Sequence, residues 1–84
     1  MYEDVQDVFV LSHGVLSVTF QSGLQGIIRV MPSFYRGVFE HLKNPEEFNK
    51  VSVSNGYVTW PGELDIAPDS LYASIVKNGN FILQ

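Results

Sequence analysis

Two histidines are the first residues in this sequence that could carry out chemistry. His13 precedes a glycine in a segment of turn composition, and His41 lies between an acidic and an apolar residue. General acid–base catalysis needs titratable groups that converge on one reacting atom, and no serine or carboxylate is spaced to act with either histidine. We therefore expect no catalytic residues, and we keep a small-molecule or metal-binding enzyme as an alternative.

Three carboxylates within one short segment, Glu63, Asp65 and Asp69, could bind a hard cation through oxygen ligands. The segment nevertheless lacks the dense Asp, Asn and Gly spacing of a calcium loop. Asp69 suits the first turn of a helix, and Asp65 could brace the loop through backbone N–H groups. The chain has no cysteine, which excludes thiolate metal ligands and disulfides. We expect no metal and no cofactor.

The single tryptophan, Trp60, precedes a Pro-Gly pair. Such a ring could be an exposed anchor for a partner, because tryptophan is common among binding hot spots. It could also close the edge of the core, with its indole N–H bonded nearby, and this second interpretation is favoured. Trp60 and the neighbouring Asp65 remain candidates for contact with a partner.

The tail of the chain is unusually apolar, with Phe81, Ile82 and Leu83 in succession. These residues either pack back on the sheet or reach a neighbouring molecule. A small sheet can pair through its edge strand, so we include all three residues among the candidates for partner binding.

The elements that position these residues begin with three strands. Segments 5–11, 15–20 and 24–31 are rich in β-branched and aromatic residues, and the second alternates with the period of a half-buried strand. Short turns join them, which predicts an antiparallel meander. Pro32 ends the third strand, and segment 33–42 predicts one or two short helical turns.

Capping and turn signals organise the second half of the chain. Asn44 suits the N-cap of a helix over 45–50, and Asn-Gly at 55–56 predicts a tight hairpin. A last helix is predicted over 68–78, closed by Gly79. The expected fold is α+β, one domain over 1–84. It has a small antiparallel sheet (three-stranded meander plus a two-stranded hairpin), with short helices and a C-terminal helix on one side.

Composition narrows the class of function. The chain has 84 residues and a net charge of −4, which disfavours binding to a phosphate backbone through a general field. Four of the five cations lie mid-chain and could form a local basic patch: Arg29, Arg36, Lys43 and Lys50.

The acidic start of the chain is unlike a signal peptide, and no apolar run approaches the roughly 18 residues of a membrane span. We expect a soluble, cytoplasmic protein.

Residues 58–62 form a Val-Thr-Trp-Pro-Gly run, which is followed by Asp-Ile-Ala-Pro-Asp-Ser-Leu-Tyr at 65–72. These two runs are the most specific part of a pattern that resembles the bacterial family catalogued as domain of unknown function 2442. The positions that carry the resemblance are Gly37, Val38, Phe39, Leu42, Asn44, Pro45, Phe48, Val51, Val53, Gly56, residues 58–62 and residues 65–72. The upstream strands and the polar turn before Gly23 are similar too, so the resemblance covers roughly residues 5–73.

The resemblance implies a small α+β domain of bacteria and phages, sometimes joined to a helix-turn-helix segment. Members are often encoded beside another small protein, which implies a toxin–antitoxin-like role, but no established activity comes with the family. Many members carry an acidic residue where this chain has Val30, Met31 and Pro32. That departure puts in doubt any role of the family that depends on the acid.

These observations favour a non-catalytic protein-interaction module or an accessory, antitoxin-like subunit. We expect its partner to be another small protein or a second copy of the chain. A regulatory domain associated with a DNA-binding system is the second hypothesis, although direct contact with nucleic acid is disfavoured by the charge.

Overall fold

The computed structural model describes residues 3–62 and 64–84, which form two small sheets and several helices. The elements in chain order are β1 (Val5–Ser12), β2 (Val15–Phe20), β3 (Gln25–Val30), the 3-10 helices Pro32–Phe34 and Gly37–Lys43, α1 (Pro45–Phe48), β4 (Ser52–Ser54), β5 (Tyr57–Trp60), β6 (Leu64–Ile66), α2 (Pro68–Asn78) and β7 (Asn80–Leu83).

The first three strands form the predicted antiparallel meander. In the β2–β3 register Leu16 lies opposite Ile28 and Val18 lies opposite Gly26, so these residues share one face of the sheet. That face is buried, whereas residues one position along point away from the core. We call these two sides the inner face and the outer face of the four-stranded sheet.

The sheet has a fourth strand that the sequence did not reveal. The strand order is β1-β2-β3-β7, and β7 runs parallel to β3, with Ile28 opposite Phe81 and Val30 opposite Leu83. The expectation of a purely antiparallel sheet is therefore wrong. The chain returns through α2, and a strand that enters by such a crossover can align parallel to its neighbour. Of the two alternatives for the tail, packing back on the sheet is the one observed.

The predicted hairpin belongs to a separate, three-stranded sheet. β4, β5 and β6 are antiparallel, and Asp65 on β6 lies opposite Thr59 on β5. The β4–β5 turn places Asn55 and Gly56 at φ values of 52° and 82°, as the Asn-Gly signal predicts. From the sequence, segment 64–66 is expected to be part of a loop, because three residues are too few to show a period. In the structure it is strand β6.

α1 and α2 begin where the sequence indicates, although α1 ends at Phe48, two residues before the predicted end. The Asn44 side chain accepts a hydrogen bond from the Glu46 N–H at 3.0 Å, which caps α1. The Glu47 carboxylate binds Lys50 at 2.7 Å. α2 covers the predicted residues, and its C-cap Gly79 has a φ of 79°. In the described part of the chain, no helix has both the length and the apolarity needed to cross a membrane.

One core joins the two sheets. Trp60 and Phe48 pack in it with ring centroids 5.8 Å apart, and α2 contributes Leu71 and Ile75. The helix approaches β3 closely at Gly26, where the absence of a side chain makes room for Ile75. The outer face of each sheet is consequently left for other contacts.

Candidate functional site

A groove lies on the outer face of the three-stranded sheet, the side turned away from the core. Its volume is about 390 Å³. The lining residues come from the β4–β5 turn, from β5 and from the loop into β6: Ser54, Asn55, Tyr57, Thr59, Trp60, Pro61, Gly62 and Asp65. Two of the candidates chosen from the sequence, Trp60 and Asp65, therefore border the same groove.

Strand register sets the chemistry of this groove. Thr59 and Asp65 lie opposite each other on neighbouring strands, and the Thr59 hydroxyl donates a hydrogen bond to Asp65 Oδ1. Tyr57 lies two residues before Thr59, so its side chain emerges on the same face, and 37% of it is exposed. The groove thus places an oriented carboxylate near an aromatic ring.

Trp60 borders the groove from the side of the protein core. Its side chain is 2% exposed, and its indole N–H donates to the Phe48 carbonyl oxygen at 2.9 Å. This is the core position that the sequence favoured, with the buried N–H satisfied by a backbone acceptor. The ring is withdrawn from solvent, so Trp60 shapes the groove mainly as part of its wall.

The three apolar residues of the tail divide between the two faces of the four-stranded sheet. Phe81 and Leu83 pack against the core, whereas Ile82 points outward and is 45% exposed. The two core-facing side chains anchor β7 to the protein. Only Ile82 of the three presents its side chain on the outer face.

Ile82 shares that outer face with apolar residues that the sequence analysis did not single out. Phe9 and Leu11 on β1 are 60% and 58% exposed. Half-buried Val15 and Ile27 lie between them and β7. Ser17 and Arg29 occupy the same face, so the apolar side chains are interspersed with polar ones. The sequence contained a signal for this face: β1 is apolar at consecutive positions, which exceeds what a strand with one buried side needs.

The two histidines occupy different surroundings. The imidazole of His13 stacks on Tyr35 and its Nε2 lies 3.0 Å from the Leu42 carbonyl oxygen, which tethers the β1–β2 turn to the second 3-10 helix. Burial raises the pKa of the Tyr35 hydroxyl beneath it. Both histidines are exposed, as expected for histidines in a turn or on the surface.

The carboxylates considered for a metal do not form a centre in the part of the chain that is described. Asp65 is bound to Thr59, and Asp69 accepts from the N–H of Ser70 at the start of α2. Glu63 lies outside the described residues. Residues 3–62 and 64–84 contain no group of three or more His, Cys, Asp or Glu that could hold a metal ion.

The mid-chain cations lie on separate elements. Arg29 is on β3, Arg36 caps the start of the second 3-10 helix and Lys43 is its last residue. Lys50 follows α1 and pairs with Glu47. The four residues therefore do not form one stripe along a single helix or strand.

Comparison with known proteins places the chain by family alone. The family model described as Protein of unknown function (DUF2442) matches residues 5–77. No curated protein and no solved structure matches the chain. The match spans both sheets and most of α2, so the groove and most of the outer face lie within it.

Proposed function

Since the chain belongs to the family described as Protein of unknown function (DUF2442), whose name assigns no activity, we propose a function from its exposed surfaces. We propose that it is a non-catalytic accessory subunit of the bacterial cytoplasm, antitoxin-like in its mode of action, which works by binding another small protein. The outer face of the four-stranded sheet is the contact surface.

The observation that carries this proposal is the apolar outer face. Phe9, Leu11 and Ile82 are each about half exposed or more. Val15 and Ile27 lie on the same face, alongside Ser17, which is opposite Phe9, and Arg29, which is opposite Ile82. Single exposed apolar residues are normal on a protein surface, but several of them on one face of a sheet are typical of an interaction site. A partner that covers this face would remove large side chains from water.

The free edge of the same sheet adds backbone groups to this surface. The Ile27 N–H donates to the Gly79 carbonyl and the Met31 N–H donates to the Leu83 carbonyl. Backbone groups alternate in direction along a strand, so those of Ile82 point away from β3. An extended segment of the partner could hydrogen-bond there while its side chains contact the outer face.

The test combines affinity capture with matched surface variants. The tagged protein is expressed in its own host, and proteins that co-purify in stoichiometric amount are identified by mass spectrometry. The triple variant Phe9→Ser, Leu11→Ser and Ile82→Ser removes apolar contacts from the outer face. We expect it to bind that partner at least about tenfold more weakly, because a few large apolar residues dominate most interfaces.

The control is a double variant at two exposed apolar residues that lie on helical segments. Val38→Ser and Val76→Ser remove side chains that are 68% and 59% exposed, and we expect this variant to bind normally. Circular dichroism melts confirm that both variants are folded. Equal loss of binding in the two variants, or no stoichiometric partner at all, would contradict the proposal.

Light scattering on the purified protein separates the two kinds of partner. A monomer at micromolar concentration supports a different protein as the partner. A dimer that the triple variant breaks and the control variant keeps would instead identify a second copy of this chain as the occupant of the outer face.

A further inference from the structure

The groove on the three-stranded sheet has an electrostatic character of its own. Asp65 supplies the carboxylate, and none of the described lining residues carries a positive charge. Within residues 3–62 and 64–84, Lys50 and Glu47 form the only ion pair, so no described cation is paired with Asp65. An exposed carboxylate in a concave, uncompensated site attracts a cationic group from outside.

The position of the carboxylate is fixed by its neighbour. The Thr59 hydroxyl binds Asp65 Oδ1, which restricts rotation of the carboxylate, and Oδ2 makes no hydrogen bond within the described part of the chain. A ligand that binds there meets an acceptor that is already oriented. Less side-chain entropy is lost on binding than with a freely rotating carboxylate.

Strand register makes Tyr57 a neighbour of Asp65 on the same face of the sheet. Thr59 is directly opposite Asp65, so Tyr57, two residues earlier on β5, is the diagonal neighbour of Asp65 on the same face. Diagonal neighbours on antiparallel strands are about 7–8 Å apart. A flat cation can lie within about 6 Å of a ring centroid while it donates to a carboxylate at about 2.8 Å.

We infer that this groove binds a guanidinium group, such as that of an arginine side chain, with its N–H groups on Asp65 and its plane against the Tyr57 ring. A guanidinium meets both requirements, because it is planar, stacks on aromatic rings and presents several N–H donors in one direction. Ser54 and Asn55, at the hairpin end of the groove, offer further polar groups to such a ligand. This groove is on the three-stranded sheet, whereas the proposed function uses the outer face of the four-stranded sheet. The inference therefore does not rest on the proposed function.

The experiment is an NMR titration of the 15N-labelled protein with N-acetyl-arginine amide. N-acetyl-citrulline amide is the matched control ligand, since it keeps the shape of the side chain and lacks the charge. We expect saturable shifts of the Tyr57, Thr59 and Asp65 amides with the arginine compound, at a dissociation constant in the millimolar range, and no saturation with citrulline. Equal shifts with both compounds, or no shifts at these amides, would overturn the inference.

Two variants test the assigned contacts. Asp65→Asn keeps a side chain that can accept from Thr59 but removes the charge, and we expect binding to weaken roughly fivefold, the upper range for an exposed ion pair. Tyr57→Leu removes the ring face, and we expect a loss of about threefold. Glu40→Gln removes one negative charge from a residue outside the groove, and it should leave the titration unchanged. Normal binding by Asp65→Asn would disprove the site.

A second pair of probes identifies the source of the guanidinium. A capped Gly-Arg-Gly peptide carries the side chain on a backbone, whereas methylguanidinium carries only the cation. Tighter binding of the peptide supports an arginine of a protein partner, and equal binding supports a small guanidinium compound. Failure of both to shift the groove amides would count against the inference.

Discussion

Ile75 of α2 fills the space above Gly26 of β3. A Cβ atom at Gly26 would lie 2.6 Å from Ile75 Cγ2, a distance that real Cβ contacts essentially never show. Because Ile75 is 2% exposed and enclosed by the core, it cannot move aside freely. The helix and the sheet are therefore held at a separation that only glycine permits at this position.

Gly26→Ala should destabilise the protein by about 1–3 kcal/mol, the usual cost of overpacking a core. Urea unfolding followed by circular dichroism measures the change. Ile75→Ala on its own leaves a cavity and should also destabilise, by about 2–4 kcal/mol. In the double variant the two losses should sum to less than their separate values, because the new methyl group occupies vacated space. Strict additivity would show that α2 does not pack on Gly26.

Trp60 provides a direct spectroscopic test of the core, since the chain has one tryptophan. A buried indole bonded to the Phe48 carbonyl should emit at short wavelength in the native protein and resist quenching by iodide. Trp60→Phe should cost about 2 kcal/mol in urea unfolding, because it removes a hydrogen bond and part of the packing. Emission typical of an exposed indole in the folded protein would contradict the placement of this ring.

His13 should contribute more to stability than His41. The His13 ring stacks on Tyr35, meets the edge of Phe48 and bonds to the Leu42 carbonyl near the end of the second 3-10 helix, where carbonyl groups lack helical partners. His13→Ala should therefore lower the free energy of unfolding by about 1 kcal/mol. His41→Ala, at an exposed position, is the control and should change it little. Equal effects would argue against the tether.

Glu3 should make the stability depend on pH in the acid range. Hydrogen bonds from the side chain and from the backbone N–H of Ser22 lower the pKa of the Glu3 carboxyl group below its ordinary value of 4.5, and the N–H donates at 2.8 Å. A lowered folded-state pKa means that the carboxylate stabilises the fold above pH 4.5, and that this stabilisation is lost as the pH falls through the folded-state pKa.

The measurement is the urea midpoint between pH 7 and pH 3 for the native chain and for Glu3→Gln. Glutamine does not titrate, so the difference between the two proteins should be largest at neutral pH and should shrink below pH 4.5. Glu40→Gln, an exposed residue far along the chain, serves as the charge control. A difference that grows on acidification would contradict the role of Glu3.

Local chemistry in the sequence was sufficient for the elements whose signals lie within a few residues. Asn44 predicted the start of α1, the Asn-Gly pair predicted the β4–β5 turn, and Gly79 predicted the end of α2. In each case a side chain or a φ angle decides the structure without help from the rest of the chain. The family resemblance likewise depended on residue types at positions that are visible in the sequence, and the family match confirmed it.

The pairing of strands was decided by tertiary structure. Segment 80–83 is apolar whether it pairs with a sheet or with a partner, and its place beside β3 depends on the path of the chain through the second sheet and α2. Segment 64–66 forms a strand by pairing with β5, its near neighbour in sequence, but three residues are too few to show a period. The partner of segment 80–83 is about fifty residues away in sequence, so no local pattern could indicate that pairing.

The candidate surfaces show the same division. The sequence by itself determined that this is a small acidic α+β chain without cysteine, and it singled out Trp60, Asp65 and the apolar tail. Only the tertiary structure decided that the Trp60 ring is buried and that Asp65 shares a groove with Tyr57. It also decided that Ile82, and not Phe81 or Leu83, lies with Phe9 on the outer face of the four-stranded sheet. The physical reason is that a side chain's direction is set by strand register, and register depends on contacts between distant segments.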